Sequence, residues 1–280
     1  MNVLINYANA AYRKSQRLNS KTAIEVGGFD KVISYGPRDI DSSFYQKNRH
    51  ILSQWRGNGY WLWKSYFIKK SLELLTNNDF LFYCDSGSYF INSINSLIDS
   101  CQYAGQGMIP FELQHVEKYW TKRDTFILMN CDQPEYTKSK QRLASFSLWR
   151  KTASTLDFVT DWLTYGQDAR IITDLQNQMG HPNYPGYRDH RHDQSIFSLL
   201  SKQYQLEAYR DPSQWGNEVV VDYPHSTYPQ LINLTRKRQF LTDFRHVPKL
   251  IAATPILWKL AQVGLKQVYT RKRDAGQLEH

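Results

Sequence analysis

The sequence has little cysteine: three in 280 residues, Cys84, Cys101 and Cys131. Their number is odd and no Cys-x-x-Cys spacing occurs, which excludes a disulfide framework and a cysteine zinc site and points to a reducing compartment. Long apolar runs are also missing. No window approaches the roughly 18 apolar residues of a membrane-spanning helix, and the N-terminus lacks a basic region, an apolar run and a cleavage site. Secretion and membrane spanning are therefore not expected, and a cytoplasmic location is. Internal repeats and low-complexity segments do not occur. Glycine-rich nucleotide loops are missing as well: Gly57-Asn58-Gly59 is followed by Leu62 where a dinucleotide fingerprint requires glycine, and no strand leads into it.

What is present describes a soluble globular protein. Hydrophobic residues make up 41% and charged residues 22%, so a sizeable core is within reach and disorder is not expected. The length suits one large α/β domain or two small ones. Tyrosine (19) and tryptophan (8) are plentiful, and aromatics with polar handles suit sugar rings and nucleobases as well as cores. The formal charge of +9 implies an anionic partner without naming it.

The stretch from Trp55 to Gly87 organises the chain. Phe80–Cys84 is an unbroken apolar run of strand length, as expected of a strand buried on both faces of a mostly parallel sheet. Asp85, Ser86 and Gly87 follow at its carboxyl end, where open α/β sheets bind ligands, although Asp before Ser-Gly also caps turns. Upstream, Trp55-Arg56-Gly57-Asn58-Gly59-Tyr60-Trp61-Leu62-Trp63-Lys64 enters a helix whose Trp61, Ile68, Leu72 and Leu75 recur at core spacing. Arg56 and Lys64 bracket the aromatics and require partners if buried.

Before this stretch, Val3-Leu4-Ile5 reads as a strand, Tyr12–Glu25 as a helix stopping at Gly27-Gly28, and Lys31–Tyr35 as a second strand, which together make a βαβ unit. After it come a helix over Ile91–Tyr103, an edge strand at Met108-Ile109-Pro110-Phe111, a strand over Arg142–Trp149 and a helix over Thr152–Leu163. A long loop, Met179–His192, leads to a helix with Ile196, Leu199 and Leu200 as its apolar face; loops of that length inside a domain are usually functional. Short strands are expected at Tyr204–Ala208 and Val219–Val221.

The residues Arg56-Gly57-x-Gly59-Tyr60-Trp61-Leu62-Trp63-Lys64, followed by a helix and a strand ending in Asp85-x-Gly87, resemble bacterial nucleotide-sugar glycosyltransferases of the GT-A fold, of the capsule and O-antigen kind. Arg191-His192-Asp193-Gln194-Ser195 is a second matching piece. The resemblance covers roughly residues 1 to 245, and implies a GT-A-like domain over 1–248. A basic amphipathic helical tail over 249–277 and a tag remnant at 278–280 complete the expected organisation. The tail, with Trp258 among its lysines and arginines, suits either an anionic membrane surface on the cytoplasmic side or packing on its own domain or a second copy.

The resemblance further implies a nucleotide-sugar donor, a UDP-hexose first, and a glycan or lipid-linked glycan acceptor. It makes Asn6, Tyr7, Arg13, Arg56, Lys64, Asp85, Ser86 and Gly87 donor-binding candidates, and puts Trp120, Lys122, His192 and Gln194 near donor or acceptor. Asp193 is the candidate base of an inverting reaction, although Asp-Gln also occurs at a comparable place in retaining enzymes and Asp193 suits a helix cap equally well. A divalent cation, Mn²⁺ or Mg²⁺, is expected on Asp85 with a late histidine, His246 ahead of His225. Gly87 stands where a second aspartate would complete Asp-x-Asp, so Lys64, Arg56 or Lys122 are the alternative sources of positive charge. His190 and His192 are further possible ligands, but Ser195 occupies the position where a binuclear hydrolase requires histidine. The competing readings are a non-catalytic carbohydrate-binding protein and a nucleic-acid-binding protein; for the second, charge is dispersed and the usual motifs are missing.

Overall fold

A computed structural model describes residues 1–219 and 221–235. The expected tail, His246 and the tag remnant lie outside the described residues.

The expected α/β architecture is present: a six-stranded, mostly parallel sheet flanked by helices. The strands are β1 (Asn2–Tyr7), β2 (Lys31–Tyr35), β3 (Phe80–Cys84), β5 (Met108–Val116), β6 (Lys140–Arg150) and β7 (Tyr209–Arg210), in the order β2-β1-β3-β6-β5-β7. β4 (Ser88–Phe90) and β8 (Ile232–Leu234) form a separate antiparallel pair. In the large sheet only β6 runs against its neighbours, pairing antiparallel with both β3 and β5. Five helices of ten or more residues occur among the described residues: α1 (Arg13–Thr22), α2 (Leu62–Leu74), α3 (Asn95–Ala104), α4 (Ala153–Gly166) and α5 (Asp193–Gln203).

Side chains alternate across each strand, so the two faces of the sheet bury different sets. Val3, Ile5, Leu81, Tyr83 and Trp149 join α2, α4 and α5 in one core, with Phe67, Trp162 and Phe197 among the large side chains. Leu4, Phe80, Phe82, Cys84 and Leu148 face the other way, against Phe29, Phe90 and the apolar side of α3. β3 is buried along its whole length, as its unbroken apolar composition requires.

Four local expectations change. Met108–Phe111 is not an edge: β5 continues to Val116 and pairs on both sides, with Pro110 at a bulge between the paired residues Ile109 and Phe111. A bulge is where a ladder tolerates a residue without an N–H. Tyr204–Ala208 is not a strand, because α5 runs to Gln203 and closes through Tyr204; only Tyr209–Arg210 pairs, with β5. The Val219–Val221 strand is not formed at Val219 or Val221. α1 ends at Thr22 and is continued by a wider π turn over Ala23–Gly27, which Gly28 closes at φ 76°.

The cysteines are free and buried. Burial pushes each thiol up to about 12, so all three behave as apolar packing rather than nucleophiles.

Phe82 is fully buried at the centre of the second core. Phe82→Ala is expected to lower stability by about 3–5 kcal/mol, read as a fall in the urea midpoint at unchanged slope.

Candidate active site

The carboxyl ends of β1, β2 and β3 form one rim. Ser86 Oγ donates to the Tyr7 carbonyl at 2.7 Å, tying the end of β3 to the end of β1. Asp85 extends β3 by one residue, its N–H donating to the Ser145 carbonyl at 2.8 Å. Its carboxylate is 35% exposed, so it reaches solvent from the end of a buried strand.

Behind Asp85 sits Lys64, in the first turn of α2 and 4% exposed at the side chain. Its Nζ lies 2.7 Å from Asp193 Oδ2 and 3.8 Å from Asp85 Oδ1, donates to the Ala144 carbonyl at 3.0 Å, and stands 5.2 Å from the centre of the Tyr83 ring. Tyr83 Oη donates to Asp85 Oδ1 at 2.5 Å. One ammonium thus joins two carboxylates from chain segments far apart, and the trio carries a net charge of −1. Asp193 does not serve as a cap: it is the first residue of α5 and turns its side chain to Lys64.

Ionisation follows from this burial. Desolvation pulls the Lys64 ammonium down, but Asp193 and then Asp85 outweigh it and hold the group above its ordinary value. For Asp193 burial is the larger effect; it lifts the carboxyl to about 6 against the pull of Lys64, with Asp85 adding to the rise. The 2.7 Å contact lies outside hydrogen-bond angles, which leaves Asp193 Oδ2 with an ionic partner but no aligned donor.

The entry to α2 is strained. Gly57, Asn58, Gly59, Tyr60 and Trp61 all have positive φ, between 52° and 96°, forming a left-handed turn. Glycine is required at 59, where a Cβ would meet the Leu52 Cα at 2.8 Å. For an L residue a left-handed conformation costs roughly 1–2 kcal/mol, so Tyr60 and Trp61 need strong packing to stay there. Both pack on His192, with ring centres 5.0 and 5.4 Å away. Next in the chain, Trp63 stacks on Tyr7 at 3.7 Å. The turn therefore sends Trp61 towards His192, Trp63 towards Tyr7, and Lys64 between the two aspartates. His192 is itself at φ 53°, immediately before Asp193.

The remaining expected residues fall into two groups. Arg13 is exposed beside the ends of β1 and β2, where a Cβ on Gly36 would lie 3.0 Å from its guanidinium and 3.3 Å from the Ala8 carbonyl. Tyr7 accepts from Asn58 Nδ2, and burial raises its phenol. Gly87 is half-buried, its carbonyl bound by the Thr235 N–H. The others are engaged within the protein. Asn6 is buried, donating to Asn19 Oδ1 at 2.8 Å and accepting from Gln16 Nε2 at 3.0 Å. Arg56 binds Asp174 and both oxygens of Asp189 at 3.0–3.1 Å. Lys122 is buried, donating to the Leu175 carbonyl at 2.9 Å. Gln194 clamps α5 to β6, accepting from the Ala144 N–H and donating to Gln141.

Among the described residues the histidines do not make a metal site. His190 has both ring nitrogens engaged, one with the Ile171 carbonyl and the other with the Lys122 N–H. His192 Nδ1 bonds the Ile172 carbonyl, and burial lowers its imidazole to about 4, so it is neutral at ordinary pH. His225 pairs with Glu207. Among the described residues no group of three or more His, Cys, Asp or Glu side chains gathers to hold a metal.

Several functional neighbours escape sequence reading. Tyr83 looks like plain strand core, and the Ala144 carbonyl has no sequence signature. Asp174 and Asp189, the partners of Arg56, sit in loops with no spacing to mark them. The composition of Gly57-Asn58-Gly59 was the one available signal for the left-handed turn.

No protein-family model matches the chain, and no curated protein matches it. Among solved structures it is similar to the crystal structure of mouse xyloside xylosyltransferase 1 in its apo form, at 10% identity and a TM-score of 0.45, over 83% of this chain and 96% of that one. A likeness that distant decides neither family nor activity. No helix among the described residues is long and apolar enough to cross a membrane.

Lys64→Met leaves the Asp193 carboxylate buried without a counter-ion, and is expected to cost about 3–5 kcal/mol. Replacing Asp193 by Leu in the same chain should restore part of that loss. Urea unfolding of the two single variants and the double variant measures the coupling directly.

Proposed function

We propose that this protein is a glycosyltransferase that moves a sugar from a nucleotide diphosphate, a UDP-hexose first, to a hydroxyl of a glycan or lipid-linked glycan during bacterial surface polysaccharide synthesis. The observation that carries the reading is the pair of carboxylates on one buried ammonium: Asp85 open at the strand rim, Asp193 withdrawn behind it. The donor, the acceptor and the bacterial setting follow the motif resemblance.

Breaking the glycosidic bond puts charge on the departing diphosphate, and the acceptor hydroxyl has to lose its proton. Asp193 suits the second task, because a carboxyl lifted to about 6 is both ionised near neutral pH and basic enough to accept a proton. Lys64 holds that carboxylate in place. Because Lys64 is buried between two anions, it is a poor contact for the diphosphate itself. Arg56 and Lys122 are engaged elsewhere. Arg13 is exposed beside the ends of β1 and β2, and it takes over the part first given to those three.

Asp85 fits a hard cation of the kind that arrives on a diphosphate: Mg²⁺ is commonly held by one or two carboxylates plus phosphate oxygens, with no protein cage. A bound Mg²⁺ or Mn²⁺ would neutralise charge on the leaving diphosphate, with Asp85 as its protein ligand. A non-catalytic carbohydrate binder has no need of this buried triad.

Calorimetry is expected to detect UDP binding, in titrations run with and without Mn²⁺, and Asp85→Asn should weaken it by roughly tenfold or more, about 1.4 kcal/mol. Wild-type protein that ignores every nucleoside diphosphate would sink the proposal. Asp193→Asn should keep nucleotide affinity while losing about 10²–10⁴-fold in transfer. Since the base acts only when ionised, wild-type kcat/KM should fall as pH drops through about 6; a limb near the ordinary aspartate value of about 3.9 would remove Asp193 from the role.

A further inference from the structure

Strand β6 parts from its neighbours where the active site begins. Its pairing with β3 covers residues 146–150, and its pairing with β5 breaks between Leu143 and Leu148, opposite the bulge at Pro110. Proline brings no N–H to a ladder. Ala144 and Ser145 therefore have no register partner in either ladder, yet Ala144 is buried, so its backbone groups need partners elsewhere.

They find them around the two carboxylates. The Ser145 carbonyl accepts the Asp85 N–H at 2.8 Å, the Ala144 carbonyl accepts Lys64 Nζ at 3.0 Å, and the Ala144 N–H donates to Gln194 Oε1 at 3.2 Å. Gln194 follows Asp193 at the start of α5, and Lys64 lies against Asp193. The contacts close a ring that runs from Asp193 to Lys64, Ala144 and Gln194 and back to Asp193 through one peptide bond. Within it, the hydrogen bond to Ala144 gives the ammonium its direction, since Asp193 at 2.7 Å lies outside hydrogen-bond angles and Asp85 stands 3.8 Å away.

The Gln194 amide is held in one orientation from behind. Glu117, fully buried and ion-paired with Lys202 at 2.7 Å, accepts from Gln141 Nε2 at 3.2 Å. That turns Gln141 Oε1 the other way, where it accepts from Gln194 Nε2 at 2.8 Å, and leaves Gln194 Oε1 facing the Ala144 N–H. A reversed amide would set donor against donor at Ala144 and acceptor against acceptor at Gln141.

We propose that Gln194 is a positioning residue for Asp193: it anchors the unpaired edge of β6 at Ala144, whose carbonyl directs Lys64, whose ammonium holds the Asp193 carboxylate. Asp193 is a base only under the transferase reading; the ring of contacts stands without it. Removing the amide frees the Ala144 N–H, and the loosened edge takes the Ala144 carbonyl out of line with Lys64.

Two NMR signals test this: the Lys64 ammonium protons, assigned by their loss in Lys64→Met, and hydrogen exchange at the Ala144 amide. In the wild type Ala144 should be protected although it pairs in neither ladder; fast exchange there overturns the proposal with no variant needed. Gln194→Met, which keeps the side-chain length and removes the amide, should speed exchange at Ala144 by roughly tenfold and shift the Lys64 resonance, while UDP affinity, read by calorimetry, stays at the wild-type value. Gln141→Met, which lets the Gln194 amide turn over, should have the same two effects and serves if Gln194→Met does not fold. Leu200→Ala loosens the packing of α5 further along the helix and should leave both signals in place. A Lys64 resonance unmoved by the glutamine variants, or moved as far by Leu200→Ala, overturns the positioning role. A tenfold loss of UDP affinity in Gln194→Met also overturns it, by making Gln194 a donor contact. Wild type that binds no UDP while its Lys64 signal still answers to Gln194→Met removes the transferase reading alone.

Discussion

An ammonium buried between two carboxylates is the constraint on which the rest of this structure depends. Lys64 has almost no water around it, so its charge is tolerable only while Asp193 and Asp85 stay close. That requirement binds the first turn of α2, the end of β3 and the start of α5 into one unit. The backbone contributes as well, through the Ala144 carbonyl of the reversed strand β6. A well-packed apolar trio would stabilise the fold at least as well. Stability alone therefore gives no reason for three charges at this place.

The left-handed turn before Lys64 is the second expensive feature, and the two belong together. Tyr60 and Trp61 hold an unfavourable backbone shape because their rings lie on His192, and His192 is itself unusual in its backbone just before Asp193. Strain on either side of an ion pair locks its geometry, as expected where a site has to be organised before its ligand arrives. The His192 ring between them is neutral because burial disfavours its charged form.

Much of this was legible in the residues. The buried strand Phe80–Cys84, its terminal Asp85 and the helix opening at Asp193 follow from apolar runs, strand-end position and helical spacing. Their meeting does not, because no local pattern records that Lys64 reaches both carboxylates. Short strands were legible least: Tyr204–Ala208 alternates well in composition but is taken up by the end of α5 and the turn after it, whereas Ser88–Phe90 and Ile232–Leu234 pair without alternating enough to be noticed. Asn6 shows the other failure, since the resemblance made it a donor contact and here it bonds Gln16 and Asn19 of α1.

The single reversed strand has a consequence for how the protein comes into being. Because β6 pairs with β3, the backbone beside Asp85 comes from the middle of the chain, and Asp193 comes later still. Closing contacts between such remote segments is entropically slow and waits until the chain has passed residue 193. A chain that stops short of residue 193 lacks one of the two carboxylates on Lys64. The pair of carboxylates on Lys64 is therefore assembled late in folding.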